Sequence, residues 1–281
     1  MKTRTITSAF ILLVTVPLII FSQYIIYPIA LAVLSLFATY EILRAIGVER
    51  EYILSVPAYI LSCALPFGSF FVTNEKSSIY LLTIAALMFF YLIYIMGVSV
   101  FSKGRISYKT IAEVFMSITY VVVSFSALSI IRYINREVGV FWLALVFIVS
   151  WVSDSMAYVV GSLIGKHKLI PEISPKKTVE GAIGGVVGAI IAFLLYGLIL
   201  DLAIEEMEVR YFVLAIYAAI LAVVSQLGDL IASLIKREHG VKDYSNLLPG
   251  HGGIMDRFDS ILAVSTILLI LCLVVPPIII V

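Results

Sequence analysis

Charge is what this 281-residue sequence has least of: Asp, Glu, Lys and Arg make up 13% of it, against 62% hydrophobic residues and a mean hydropathy of +1.12. That balance excludes a single soluble domain, in which about 25% of residues are charged. Cysteine is equally scarce. Cys63 and Cys272 both fall in apolar runs with no spacing suited to zinc or a disulfide framework, so they are expected to be packing residues. There is no internal repeat, no low-complexity tract and no soluble domain of useful size. The alternating polarity of a lipid-spanning strand barrel is missing too.

What the chain does have is long apolar runs. A spanning helix takes roughly 20 such residues, and about nine segments qualify, near 6–22, 24–45, 53–73, 78–101, 110–132, 139–164, 179–200, 210–235 and 260–280. The expected fold class is therefore an all-α polytopic membrane protein with about nine transmembrane helices in a lipid bilayer. The first run follows Met1, Lys2 and Arg4 as a signal peptide would. Its apolar stretch is long and lacks a clear small-residue cleavage site, so it is expected to be retained.

Nine alternating spans sort the 19 basic residues unequally. One side receives 15 of them, among them Lys103, Arg105, Lys109, Lys166, Lys168, Lys176, Lys177, Lys236, Arg237, Lys242 and Arg257. The other receives Lys76, Arg132, Arg136 and Arg210. Because cytoplasmic connections carry the excess of Lys and Arg, the N-terminus is expected in the cytoplasm and the C-terminus outside. The net charge of +1 hides this asymmetry.

Two unlike regions are expected. Residues 1–137, about five helices joined by short connections, read as a scaffold in which Glu41 and Glu113 are the main acidic exceptions. Residues 138–281, about four helices with cytoplasmic loops at 165–178 and 237–259, carry polar residues into the spans and read as the catalytic region. Ser225, Asp229 and Ser233 recur every four residues, with Gln226 beside them, and form one polar stripe leading to Lys236 and Arg237. Past the loop, Asp256 and Asp259 are three apart at the start of the last span, so both carboxylates are expected on one face. Carboxylates so spaced can share a hard cation, since Mg²⁺ is held by one or two carboxylates plus phosphates and water; Asp229 would complete the set. The alternative is ion pairing, Asp256 with Arg257 and Asp229 with a nearby Lys.

Pro249-Gly250-His251-Gly252-Gly253 is a turn of little side-chain bulk where backbone amides can approach phosphate oxygens, or simply a tight connection. His251 would orient a phosphate, move a proton or bond to the loop backbone. A second cluster runs through Ser150, Asp154 and Tyr158 at helical spacing, then Gly161, Gly165, Lys166, His167 and Lys168. Next comes Ile173-Ser174-Pro175-Lys176-Lys177-Thr178-Val179-Glu180-Gly181, in which Pro175 suits a helix entry. The lysines and the hydroxyls of Ser174 and Thr178 offer donors to an anion, or else form an N-cap with topology-setting lysines. Gly181, Gly184, Gly185 and Gly188 are expected to serve close helix packing.

At these residues the sequence resembles a known family. The run Ser233-Leu234-Ile235-Lys236-Arg237, then Lys242-Asp243, Leu248-Pro249, His251-Gly252-Gly253 and Asp256-Arg257-Phe258-Asp259 looks like the signature of phosphatidate cytidylyltransferases, or CDP-diglyceride synthases, without departure. Asp154 to Tyr158 and Ser174 to Gly181 also resemble that family's blocks, so the likeness covers the C-terminal half. The N-terminal half is similar only in being several apolar spans. Where many members carry a basic residue after the glycine, this chain has Ser162, and a phosphate contact made there would be missing.

The resemblance implies transfer of a cytidylyl group from CTP to phosphatidate, giving CDP-diacylglycerol and pyrophosphate. It implies Mg²⁺ dependence, with K⁺ as an assisting cation, and Asp229, Asp256 and Asp259 as the metal site. Lys177, Lys236, Arg237, Lys242 and Arg257 would hold phosphates. Ser174, Lys176, Thr178, Ser233, Asp243, His251, Gly252 and Gly253 would be further substrate contacts, with Asp154 orienting the basic groups. The expected partners are CTP, phosphatidate and the bilayer, with no nucleic acid; the oligomeric state, a homodimer included, stays open. The expected location is a prokaryotic inner (plasma) membrane with the active site at the cytoplasmic face. The rival readings are a cation-coupled transporter using Asp154, Asp229 and Glu180, and a CTP-dependent lipid-alcohol kinase.

Overall fold

The computed structural model describes residues 13–247, 250 and 252–280. Its helices are α1 (13–20), α2 (Ile26–Ile46), α3 (Tyr52–Gly68), α4 (Ser77–Phe101), α5 (Tyr108–Ile134), α6 (Gly139–Ile164), α7 (Val179–Ala203), α8 (Tyr211–Glu238) and α9 (Met255–Val274). Eight of them, α2 to α9, are long and apolar enough to cross a membrane. The chain is an all-α polytopic membrane protein. The span expected near 6–22 appears as α1, its earlier part lying outside the described residues.

The last span differs from the expected 260–280. It begins at Met255 and stops at Val274, because Pro276 and Pro277 bring no N–H to continue it. The residues beyond form strand β4 (Ile278–Ile280), antiparallel to β3 (Met207–Val209). A second antiparallel pair, β1 (Lys168–Ile170) and β2 (Ser174–Thr178), fills the connection between α6 and α7.

The chain forms two compact units: Met1–Asn135 with His239–Arg257, and Arg136–Glu238 with Phe258–Val281. Most of the long connection after α8 thus folds with the N-terminal helices. In the first unit α5 is the most buried span and α4 the least. Pro57 inside α3 leaves the Ile53 carbonyl without its helical donor, and the Tyr94 hydroxyl of α4 supplies one at 2.9 Å. At the end of α5 the buried Arg132 donates from Nε to Ser22 Oγ at 2.7 Å, and the Tyr133 hydroxyl donates to the Ser22 carbonyl at 2.8 Å.

In the second unit the crossing of α6 and α7 rests on the glycine face. A Cβ at Gly181 would sit 2.6 Å from the Ala157 carbonyl oxygen, and one at Gly185 would sit 2.8 Å from that of Ser153. Gly184 and Gly188 meet Val160 and Met156 as closely. Small residues let the two backbones approach, the main source of helix attraction in lipid. At the opposite end of α9, the Tyr217 hydroxyl lies 2.8 Å from the Leu271 carbonyl and 2.7 Å from that of Val275. Trp142 Nε1 donates to Ile278 O at 3.0 Å, tying β4 to α6.

Overpacking such a crossing costs about 1–3 kcal/mol. Gly181→Ala is therefore expected to lower the thermal unfolding midpoint of the purified protein. Gly97→Ala, whose added Cβ meets nothing within 4 Å, is expected to leave it unchanged or raised; equal midpoints for the two variants would contradict the tight crossing.

Candidate active site

The second unit gathers the polar stripe of α8, the β1–β2 hairpin, the first turn of α7 and the part of α9 from Phe258 onward. Thr178 ends β2 and caps α7, its Oγ1 accepting from Gly181 N at 3.1 Å. Its hydroxyl is buried in that role, which is the capping alternative rather than a phosphate contact. Glu180 in the first turn of α7 holds the other end of the hairpin: it accepts from Lys166 N at 3.1 Å, from His167 N, and from His167 Nδ1 at 2.6 Å. These bonds fix the hairpin that carries Ser174, Lys176 and Lys177.

Lys177 is the hairpin residue that reaches α8. Its Nζ lies 2.8 Å from Asp229 Oδ2 and 3.4 Å from the Gln226 carbonyl. On the other carboxylate oxygen, Ser233 Oγ donates to Asp229 Oδ1 at 3.4 Å. Gln226 joins three helices by donating to Ser153 Oγ at 3.3 Å and Ala182 O at 3.0 Å. Ser225 is buried with no hydrogen-bond partner among the described residues, so the usable part of the stripe starts below it. Gly228 admits α9 closely, since a Cβ there would lie 2.7 Å from the Asp259 carbonyl oxygen. Asp259 is partly buried and within electrostatic range of Asp229, Asp154 and Lys236. Asp154 is exposed on α6, while Lys236 is buried.

The side chains of Lys177 and Asp229 remain 25% and 30% exposed, so the ion pair is open to an incoming anion or cation. A phosphate at Lys177 and a cation at Asp229 could each take over one half of the pair. Ser174 is half-buried in β2, whereas Lys176 and Arg237 are exposed.

The first unit holds the remaining expected residues. Asp256 is buried, and its Oδ2 accepts from Tyr244 N at 2.8 Å and Gly253 N at 2.9 Å. Gly252 is required on two counts: its φ is +81°, and a Cβ would sit 2.6 Å from Asp256 Oδ2. Lys242, Asp243 and Arg257 are exposed. His251, Leu248 and Pro249 lie outside the described residues. Asp256 and Asp259, though three apart, thus have different companions: one answers backbone amides of its loop, the other faces carboxylates of α8 and α6.

Whether these groups fit Mg²⁺ turns on the donor set. Among the described residues no three His, Cys, Asp or Glu side chains stand close enough to hold a metal ion by themselves. Asp229 and Asp259 do suit the arrangement in which one or two carboxylates take part and substrate phosphates and water complete the shell. Glu41, an acidic exception of the scaffold to which the sequence assigned no role, is buried and bonded to the same loop as Asp256. Its signal was available as an ionisable residue inside a span. Ser162 bonds only to the Val159 carbonyl, at 2.9 Å, from an exposed position.

Comparison with known proteins covers nearly the whole chain. The model of the cytidylyltransferase family matches residues 2–275. The phosphatidate cytidylyltransferase of Staphylococcus haemolyticus (strain JCSC1435) is 36% identical over 279 residues, covering 96% of this chain and 98% of that protein. The protein of the same name from Staphylococcus saprophyticus is 36% identical over 276 residues, and that from Staphylococcus aureus (strain COL) 35% over 279, each with the same coverage. A match of that extent includes the N-terminal spans as well as the polar half, and the chain belongs to the cytidylyltransferase family.

Proposed function

We propose that this protein transfers the cytidylyl group of CTP to phosphatidate, forming CDP-diacylglycerol and releasing pyrophosphate. The observation that carries the reading is the exchangeable Lys177–Asp229 pair, set beside Asp259, Asp154 and Lys236 in a family of cytidylyltransferases. Both substrates are polyanions and one is a lipid. A mixed cluster of lysines and carboxylates at the end of membrane-spanning helices suits them.

In the reaction a phosphate oxygen of phosphatidate attacks the α-phosphorus of CTP. That P–O bond forms as the bond to the β-phosphate oxygen breaks, and the electron pair leaves with pyrophosphate. The nucleophile is already anionic, so the protein needs to align it and neutralise the charge that develops. Lys177 would move from Asp229 to a phosphate oxygen, with Lys236 lending its charge from the buried side. Arg237, exposed at the end of α8, would meet the outer phosphates. Mg²⁺, when bound, would neutralise phosphate charge, held by Asp229 and Asp259 with Asp154 in electrostatic range. Asp256 would shape the loop between α8 and α9, and the backbone bonds of its carboxylate support that role.

The excess of basic residues in one set of connections supports a site at the cytoplasmic face of a bacterial plasma membrane. In a Cys-free background, a cysteine introduced by Asn246→Cys is expected to react with an impermeant maleimide from the cytoplasmic side only, and one introduced by Glu75→Cys from the other side only. Both positions are exposed. Labelling of both from one side would overturn the sidedness.

With CTP labelled at the α-phosphate, the lipid product is expected to carry label; with CTP labelled at the γ-phosphate, pyrophosphate is expected to carry it. Transfer of the γ-label to lipid would instead mark a kinase. Asp229→Asn should elute as a monodisperse protein with turnover reduced about 10–100-fold, the usual loss when a metal-site group is removed. Asp256→Asn exchanges an acceptor oxygen for a donor beside two amides, and about 1–3 kcal/mol of stability is expected to go with it. A lower unfolding midpoint for Asp256→Asn than for Asp229→Asn would bear out the division of roles.

A further inference from the structure

Glu41 stands in the C-terminal part of α2, in a helix whose other charged residue is Arg44, and is 1% exposed. Its carboxylate meets a segment more than two hundred residues away. Oε1 accepts from Ser245 Oγ at 2.6 Å and from Ile254 N at 2.9 Å, and Oε2 accepts from Met255 N at 2.8 Å. Both amides belong to the start of α9, where the first N–H groups have no intrahelical acceptor. A carboxylate placed there satisfies two of them and complements the helix dipole. Gly253 completes the fit, since any Cβ there would run into the Glu41 carboxyl group, 2.5 Å from Cδ.

We infer that Glu41 is a positioning residue for the reaction: an intramembrane carboxylate in the N-terminal half that fixes the loop between α8 and α9 and the entry of α9. The inference rests on the proposed cytidylyl transfer for its kinetic part and on geometry alone for its structural part. Three donors converge on one buried carboxylate, and two are backbone amides of the residues preceding Asp256. Asp256 holds the same loop from the helix side, through Gly253 N and Tyr244 N. Together the two acids hold Tyr244, Ser245, Gly253, Ile254 and Met255. Asp259 follows on the next turn of α9, so a shift in where the helix begins moves the residue that faces Asp229. Lipid offers no water to replace the missing acceptor, which makes the clamp stringent.

The test uses the full-length protein in detergent or nanodiscs, with Glu41→Gln and Glu41→Asp as variants. Glu41→Gln keeps the size but turns a donor toward an amide or the Ser245 hydroxyl. Its expected effect is a fall in kcat of about 10–100-fold, the range for groups that orient a reacting site, with KM for phosphatidate unchanged. Amide hydrogen exchange in the 253–255 segment should accelerate while exchange in α5 stays as in wild type. Glu41→Asp keeps the carboxylate and should recover part of both effects. The double variant Gly253→Ala with Glu41→Asp should be more active than Gly253→Ala alone, because the shorter acid makes room for the methyl group. Wild-type kcat and unchanged 253–255 exchange in Glu41→Gln would overturn the inference. So would general acceleration of exchange, α5 included, in every variant, or failure of Glu41→Asp to improve on Gly253→Ala. Absence of cytidylyl transfer by the wild type would remove the reaction assignment, while the exchange pattern would still decide whether Glu41 holds the loop.

Discussion

A backbone N–H or carbonyl at membrane depth has no water to turn to, and each one left unmet costs several kcal/mol. That constraint decides where the chain can depart from a helix. Pro57 is tolerated because Tyr94 answers the freed Ile53 carbonyl. The entry of α9 is tolerated because Glu41 and Asp256 answer four amides between them. The β1–β2 hairpin is anchored because Glu180 and Thr178 answer three more. Irregular backbone occurs beside acidic or hydroxyl side chains, and those side chains thereby acquire a structural duty.

The same accounting sorts the acids. Glu41, Asp256 and Glu180 are engaged with main-chain donors, so a change at any of them acts first on the shape of a loop. Asp229 accepts from side chains alone, a lysine and a serine, while Asp259 and Asp154 act on one another through charge. Side-chain partners can be exchanged for substrate without unravelling the backbone. Asp259 also accepts from the amide of Ser260 at 2.8 Å, so Asp229 is the acid that combines partial exposure with bonds to side chains alone, as the proposed reaction requires.

Much of this was legible in the sequence. The spans, the glycine face of α7 and the polar stripe of α8 follow from composition and periodicity, because lipid imposes them on any chain. An ion pair of Asp229 with a nearby Lys was foreseeable as an alternative to a metal site; in the structure the partner is Lys177, 52 residues away in sequence, which spacing could not name. Spacing could not separate Asp256 from Asp259. Residues three apart share a helix face only where the helix is already established, and Asp256 sits where α9 is still collecting its capping bonds. Nor could spacing connect Glu41 to Ile254 and Met255, since a contact across more than two hundred residues is set by how the helices pack. The strand pair β3–β4 was invisible for a similar reason: Ile278–Ile280 reads as the end of an apolar run until Pro276 and Pro277 are given their due.

Under the proposed reaction, charge gives the cluster of the second unit a reason to take a cation and a nucleotide together. Asp154, Asp229 and Asp259 carry three formal negative charges and Lys177 and Lys236 two positive ones, which leaves one negative charge. Alone, that balance repels a triphosphate. A divalent cation reverses the sign to one positive charge, and in a partly desolvated site such a change acts over several ångströms with little screening. An affinity for CTP that depends steeply on divalent cation, and an affinity for the cation that is weak without CTP, are then two views of one electrostatic balance.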